Sequence, residues 1–541
     1  MIDRKYLGTS KRIPLLLVAL LLLLPGQLVA QDEDVPSWPG EEQADTDGAT
    51  PETESPGSET GTPGPQTDSP NTDTSATGPQ TDSPSPDTGT AGPEAESSGP
   101  GSDTSSAESE DTQEEAEEAR SIIEKWRDTL RFGINSQIIE LVPTLREERI
   151  TELEPEIARL LESSRNEQLQ QEILSYYREL ELREAQPVAI ELLSEYQVSG
   201  NQRTQAAIRY LADLPPESPE ARSEVAELLA EIVRQGGMQI AASAARAVSS
   251  YGEELGVDQI TELYDEAITE DVQAALILSL GEMGNPGAFE FLARIAEDEG
   301  EQMVLRQYAV DSLGKLKVEE AIPIISDLLA ADNSLLRAYA VSALGRFETE
   351  KAQNALIAAL RDEFWRARVF ALQGIARLQV EEAIPAVLYK VRQDPEQRVR
   401  LEAVETLHAF PTGEVRNFVE ESITDPRVNQ EIRLAMVDLL LDWGDSFSVS
   451  LLDSVMLSAW EEENSRLLDY LCRQASRSEN ALLAPLYEKM LSHPNYIIRI
   501  YGARGIARNG LARYRGSLEE LTGEGHHPAL RQNAQRALDE L

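Results

Sequence analysis

The sequence predicts an all-α solenoid of stacked helical hairpins, preceded by a disordered acidic linker. A motif headed by arginine recurs down the chain: RQYAVDSLG from Arg306, RAYAVSALG from Arg337, RVFALQGIA from Arg368, RLEAVETLH from Arg400, RLAMVDLLL from Arg433, RIYGARGIA from Arg499 and RQNAQRALD from Arg531. Successive spacings are 31, 31, 32, 33, 66 and 32 residues, and a fixed period in this range marks a stacked repeat array. Beyond Glu115 the apolar residues fall at helical spacing, with no alternating strand runs.

The elements follow in chain order. Residues 1–30 place Arg4, Lys5, Lys11 and Arg12 ahead of the apolar run IPLLLVALLLLL and then PGQLVA, the three-part layout of a secretory signal, with Ala30 as the last residue removed. The apolar core is shorter than the roughly 20 residues a spanning helix needs. The alternative is retention as an N-terminal anchor. Residues 31–115 are mostly Ser, Thr, Pro, Gly, Asp and Glu, with no aromatic after Trp38, and GPQTDSP occurs twice, at 64–70 and 78–84. Such a stretch cannot bury enough apolar surface to offset its ordering entropy, so it is read as a disordered linker. Residues 116–202 carry degenerate helical repeats and residues 203–541 the clear ones, about a dozen helical pairs together.

Within each clear unit the arginine helix carries small or apolar residues as one stripe, for example Ala340, Val341, Leu344 and Gly345. A second helix follows a short turn, as in VEEAIPIISDLLAAD from Val318 and VEEAIPAVLYKVRQD from Val380, with Pro323 and Pro385 near its first turn, where a missing N–H does little harm. Neither helix buries its stripe alone, so neighbouring pairs must stack. In the 66-residue gap Arg466 lies near the expected place, but Leu467, Leu468, Leu471 and Cys472 fit a helix counted from Asn464, so that unit has lost its leading arginine. Between units Asp394 and Asp425 precede proline, His493 and His527 do likewise, and Asp332 and Asp362 hold comparable places. An Asp there caps free helix N–H groups.

Composition bounds the function. The net charge is −48, and residues 31–120 hold 24 acids against one base, which excludes the basic footprint that nucleic acid demands. The only cysteine, Cys472, sits in LLDYLC and reads as a small core residue, so no intramolecular disulfide supports the fold. No Gly-rich phosphate loop, nucleophile elbow or zinc spacing occurs.

The pattern RxxAvxxLGxxxxxeAIPxLxxLLxD resembles the HEAT repeat, particularly the short variety of phycocyanobilin lyases. The resemblance implies a right-handed α-solenoid and a ladder of hydrogen-bonded Asp and Arg side chains from adjacent repeats along its interior. The ladder would comprise Arg306, Arg337, Asp362, Arg368, Asp394 and Arg400. A planar guanidinium suits that role better than lysine does, and a cation in a helix's first turn needs an anion beside it. Some HEAT-like arrays are di-iron hydroxylases built on His-Glu pairs, but none of the four histidines here precedes Glu. Lyase activity is not encoded by the repeat consensus.

Two departures from the repeat are candidate partner contacts. RDEFWRAR places Phe364, Trp365 and Arg366 in an inter-repeat turn, and residues 361–400 hold eight bases against six acids. Aromatics flanked by arginine are interface hot-spot chemistry, the alternative being that Trp365 covers the next repeat. RIYGARGIARNGLARYRG supplies Arg504, Arg508, Arg513 and Arg515 without an acid, giving either an anion-attracting end or a solvated face balancing Glu519 and Glu520. The expected function is a noncatalytic protein-interaction scaffold or adaptor of the bacterial cell envelope. It is exported and most simply periplasmic, binds a protein or peptide, and needs no cofactor or metal. A membrane is involved only if the N-terminal segment stays as an anchor. The alternatives are an envelope spacer or assembly factor, and a bilin-lyase-like enzyme.

Overall fold

The computed structural model describes residues 121–196, 202–461 and 465–541. The signal segment (1–30), the linker (31–115) and residues 116–120 lie outside the described residues, as does Asn464. The described residues are helical throughout, joined by short turns. Among them no helix is long and apolar enough to cross a membrane.

Two rows of helices run along the array. The arginine-headed helices form the denser row: Met303–Leu316 packs on Ser334–Leu344, that on Trp365–Leu378, and the sequence continues through Gln397–Thr406, Gln430–Trp443, Ser465–Ala475 and Tyr496–Arg508 to Pro528–Asp539. The same row extends upstream through Asn135–Glu147, Glu167–Glu179, Gln202–Asp213, Met238–Ala247 and Glu270–Met283. One continuous apolar core joins Leu130 to Ala537. The degenerate and the clear repeats thus share a single interior.

Each arginine helix packs more closely on the helix before it than on the one after it at most positions, as Phe289–Glu297 does with Met303–Leu316 and Ala484–Leu491 with Tyr496–Arg508. The structural hairpin therefore ends on the arginine helix instead of opening on it. The leading arginine side chain reaches back to the preceding turn in the same sense, as described below.

Close stacking of the row depends on small residues at the ends of these helices. A Cβ on Gly314 would lie 2.8 Å from the Ala343 backbone, and one on Gly345 would lie 3.1 Å from the Cα of Gly374. Backbone contact at this distance leaves no room for a side chain to move aside. Gly314→Val is expected to destabilise the array by about 1–3 kcal/mol, the usual range for overpacking a core, read as a lower midpoint in urea denaturation.

The turn residues cap differently from the simple expectation. Asp362 Oδ1 accepts from the Phe364 N–H and Asp394 Oδ1 from the Glu396 N–H, while the N-cap positions belong to Phe364 and Glu396 themselves. The aspartate closes a turn two residues long just ahead of the helix, which frees its second oxygen for an arginine. His493 makes the same turn through Nδ1, accepting from the N–H of the N-cap Asn495, whereas His527 is itself the N-cap of Pro528–Asp539 and accepts from the Ala529 N–H. Cys472 is fully buried, and burial pushes its thiol up to about 12, outside any reactive range.

Candidate functional site

The leading arginines bind backwards and forwards. Arg337 Nη1 donates to the Ala331 and Asp332 carbonyls at 2.8 and 3.1 Å, and its Nε and Nη2 grip the Asp362 carboxylate of the next unit at 2.9 and 3.1 Å. Arg368 repeats this with the Asp362 and Glu363 carbonyls and the Asp394 carboxylate, at 2.9 and 2.8 Å to its two oxygens. Arg400 Nη1 donates to the Asp394 carbonyl. Each aspartate therefore serves two arginines, one through its carboxylate and one through its backbone oxygen. The carbonyls at the end of a helix lack intrahelical donors and carry partial negative charge, so the guanidinium satisfies the preceding helix end at the same time.

The run has limits. Among the described residues Arg306 and Arg433 hydrogen-bond only to carbonyls, of Ala296 and Ile423. Asp425, placed to receive Arg400, is held by Arg427 two residues on. Arg368 and Asp394 are the most enclosed pair, with side chains 6% and 0% exposed. Burial pushes the Asp394 carboxyl up, but Arg368 and Lys390 hydrogen bonds outweigh it and hold it below the ordinary aspartate value. All of these groups are occupied within the array.

Phe364 and Trp365 are half-buried and packed against the core, while Arg366 is exposed. The Arg366 guanidinium lies 5.2 Å from the Trp365 ring centroid and that of Arg398, from the next arginine helix, lies 5.1 Å away. Trp365 therefore bridges two repeats and already has two cations over its ring.

The four arginines of the C-terminal run separate. Arg513 stacks on Tyr514 and Arg515 starts the exposed end of Arg515–Leu521. Arg504 and Arg508 instead face a cleft of about 440 Å³ with Arg473, Arg477 and Arg536. Five guanidiniums share this space with Tyr501 and Asn533, and Glu540 is the one acid among the described lining residues. Asn533 Oδ1 accepts from Arg504 Nε and Nη2 at 3.1 and 3.0 Å. Among the described residues Arg508 pairs only with Glu479, at 3.6 Å. Like charges gathered in a concavity repel one another and focus a positive potential into it, and an incoming anion relieves that repulsion.

Sequence reading missed Arg473, Arg477 and Arg536 because they lie outside the contiguous run. The signal was the repeat period itself: Arg473, Arg504 and Arg536 are 31 and 32 residues apart, and Arg477 and Arg508 are 31 apart.

One titrating group faces the same row of helices. Burial pushes the Glu402 carboxyl up to about 7, with Glu405 adding to the rise and a Gln373 hydrogen bond opposing it. A raised native pKa means that the folded state holds the proton more tightly than the unfolded chain, so this contribution falls as pH rises from the ordinary glutamate value through 7. Glu402→Gln is expected to raise the Tm at pH 8 and leave it nearly unchanged at pH 4, below the ordinary glutamate value.

His493 and His527 do not come together as ligands: the first lies 4.1 Å from the Trp460 ring and the second stacks on Tyr496 at 3.9 Å. Among the described residues no three His, Cys, Asp or Glu side chains are grouped to hold a metal.

A family model described as spirochaete HEAT repeat protein matches residues 130–537. No curated protein matches the chain. Among solved structures, similarity extends to a Kap95p complex with RanGDP, at 14% identity and a TM-score of 0.45 over 71% of this chain and 60% of that one. Kap121p alone and Kap121p bound to Pho4p are each 12% identical over 77% of this chain and 53% of theirs, with TM-scores of 0.38 and 0.39. The chain spans between half and two thirds of the length of these proteins.

Proposed function

Because the chain belongs to the spirochaete HEAT repeat protein family, we propose that it is a noncatalytic protein-interaction scaffold that holds an acidic segment of a protein partner in the cleft formed by Arg473, Arg477, Arg504, Arg508 and Arg536. The observation that carries this reading is the concentration of five cations, with one acid among the described lining residues, in a chain whose net charge is −48. Arginine forks pair with carboxylates in bidentate fashion, and Arg508 and Arg536 are exposed. Export to the envelope is part of the proposal and rests on the layout of residues 1–30. A reporter that is active only outside the cytoplasm, fused after residue 120, should be active, and an inactive fusion would remove the envelope from the proposal.

The cleft is tested with a labelled heptaglutamate peptide followed by fluorescence anisotropy. The wild-type chain and an Arg513→Glu/Arg515→Glu variant should bind alike, whereas Arg504→Glu/Arg508→Glu should not. Equal binding by all three would sink the cleft as the site. If inorganic phosphate competes as well as the peptide does, the site reads a small anion and the scaffold reading fails.

A further inference from the structure

We infer that the cleft is one half of a two-part groove that reads a peptide with an aromatic or large apolar anchor followed, three to four residues on, by acidic residues. This deepens the reading of the cleft given above and rests on it. A second concavity of about 550 Å³ lies against the same two helices, lined by Trp460, Leu468, Ile498 and His493 together with Arg466 and Asp469. On Ser465–Ala475, residues 466 and 469 border this cavity and residue 473 borders the basic cleft; on Tyr496–Arg508, Ile498 borders the first and Tyr501, Arg504 and Arg508 the second. These positions recur every three or four residues, so they share one face of each helix. The cavity and the cleft are consecutive along the valley between the two helices.

The two ends differ in chemistry. At the cavity end Arg466 is already paired with Glu431, and Asp469 is engaged with Tyr501, so little charge is left over among the described lining residues. Trp460, Leu468 and Ile498 supply an apolar wall. His493 is 7% exposed. Its Nδ1 accepts from the Asn495 N–H, which places the proton on Nε2, and burial and Arg499 keep the ring neutral by lowering its pKa. That Nε2 is closed off from solvent with no hydrogen-bond partner among the described residues, beside the Trp460 ring. An orphaned buried donor is a standing cost, and an anchor that packs against the Trp460 indole and brings a carbonyl to Nε2 would remove it. At the other end stand the five guanidiniums.

Spacing follows from helix geometry. The residues bordering the cavity and those bordering the cleft are about seven positions apart on each helix, which at 1.5 Å per residue is on the order of 10 Å. An extended peptide covers this in about three residues. The resulting pattern is an anchor, two spacers and then acids. Residues 32–45 of this chain carry it, with Trp38 followed by Glu41 and Glu42, and so supply a probe of defined sequence beside a synthetic one.

The experiment measures the anisotropy of labelled peptides with the full chain. The parent is Trp-Gly-Ser-Glu-Glu-Glu-Glu, compared with its Ala-headed form, a form with four extra Gly-Ser residues after the tryptophan, a form with glutamine for every glutamate, and a peptide of residues 32–45. Replacing or displacing the tryptophan should weaken binding at least tenfold, and Trp460→Ala in the protein should weaken the parent while leaving the Ala-headed form unchanged. Equal affinity of the parent, Ala-headed and extended forms overturns the two-part groove but leaves the acidic cleft standing. Binding of the glutamine form as tightly as the parent overturns the cleft reading, and with it this one. Heptaglutamate binding without any gain from an anchored peptide also overturns the groove.

Discussion

Replacing Asp394 by alanine is expected to cost about 3–5 kcal/mol, the range for removing one partner of a buried ion pair, and to lower the denaturation midpoint more than any other single change in the turns. The carboxylate is fully enclosed. It accepts from Arg368 through both oxygens, from Lys390 at 3.0 Å and from the Glu396 N–H. Alanine leaves the Arg368 guanidinium buried without its counter-charge, and opens the turn that starts the next helix. Asp425→Ala is the control, since Asp425 is paired with an exposed arginine within its own loop and exposed pairs contribute little. The effect has a pH signature. The native Asp394 pKa lies below its ordinary value, so its contribution is present above the ordinary aspartate range and is lost as pH falls through the native pKa. The gap between wild type and Asp394→Ala should therefore be full at pH 7 and narrow in acid. Urea titrations at pH 7 and pH 3 check both statements.

Reversing charge at Arg504 and Arg508 together is expected to weaken capture of the acidic probe by roughly 100-fold or more. Close interfacial charge pairs couple by at least about 1.5 kcal/mol each, and two of them correspond to about two decades in Kd. Each reversal also puts a repulsive group in the path of the ligand. Stability should hardly change, because both side chains are exposed and repulsion within the cleft is reduced. Circular dichroism and thermal melting separate this outcome from misfolding. The remaining affinity should depend less steeply on salt than that of the wild type, since fewer screened pairs are left to lose.

The stacked array was legible because every unit solves one packing problem with the same residues. Ala340, Val341 and Leu344 are all buried, and Gly345, in the same stripe, meets Gly374 at a close approach. The spacing of Asp and Arg was legible too, but not its wiring. Asp362 stands six residues before Arg368, yet its carboxylate goes to Arg337 while only its carbonyl serves Arg368. Nothing in the spacing shows that Arg427 occupies Asp425. For Arg504 and Arg508, position along the chain suggested one group with Arg513 and Arg515, whereas the fold sorts side chains by helix face. Arg473, Arg477 and Arg536 join the cleft from other repeats because equivalent positions stack, which a contiguous window does not show. Trp460 and His493 carried no sequence signal as a cavity, because they meet only once two hairpins are packed together.

The most direct test of the central claim places a photocrosslinking benzophenone side chain at Tyr501, beside the cleft arginines, and separately at Tyr389, which is exposed on the helix Ile384–Gln393 of the other row. Irradiation in cells followed by peptide mapping should give adducts at position 501 to an acid-rich segment of a protein, lost when Arg504 and Arg508 are reversed, and none of that segment at position 389. Adducts at 389 with none at 501, or adducts at 501 that survive the reversal, would contradict the account.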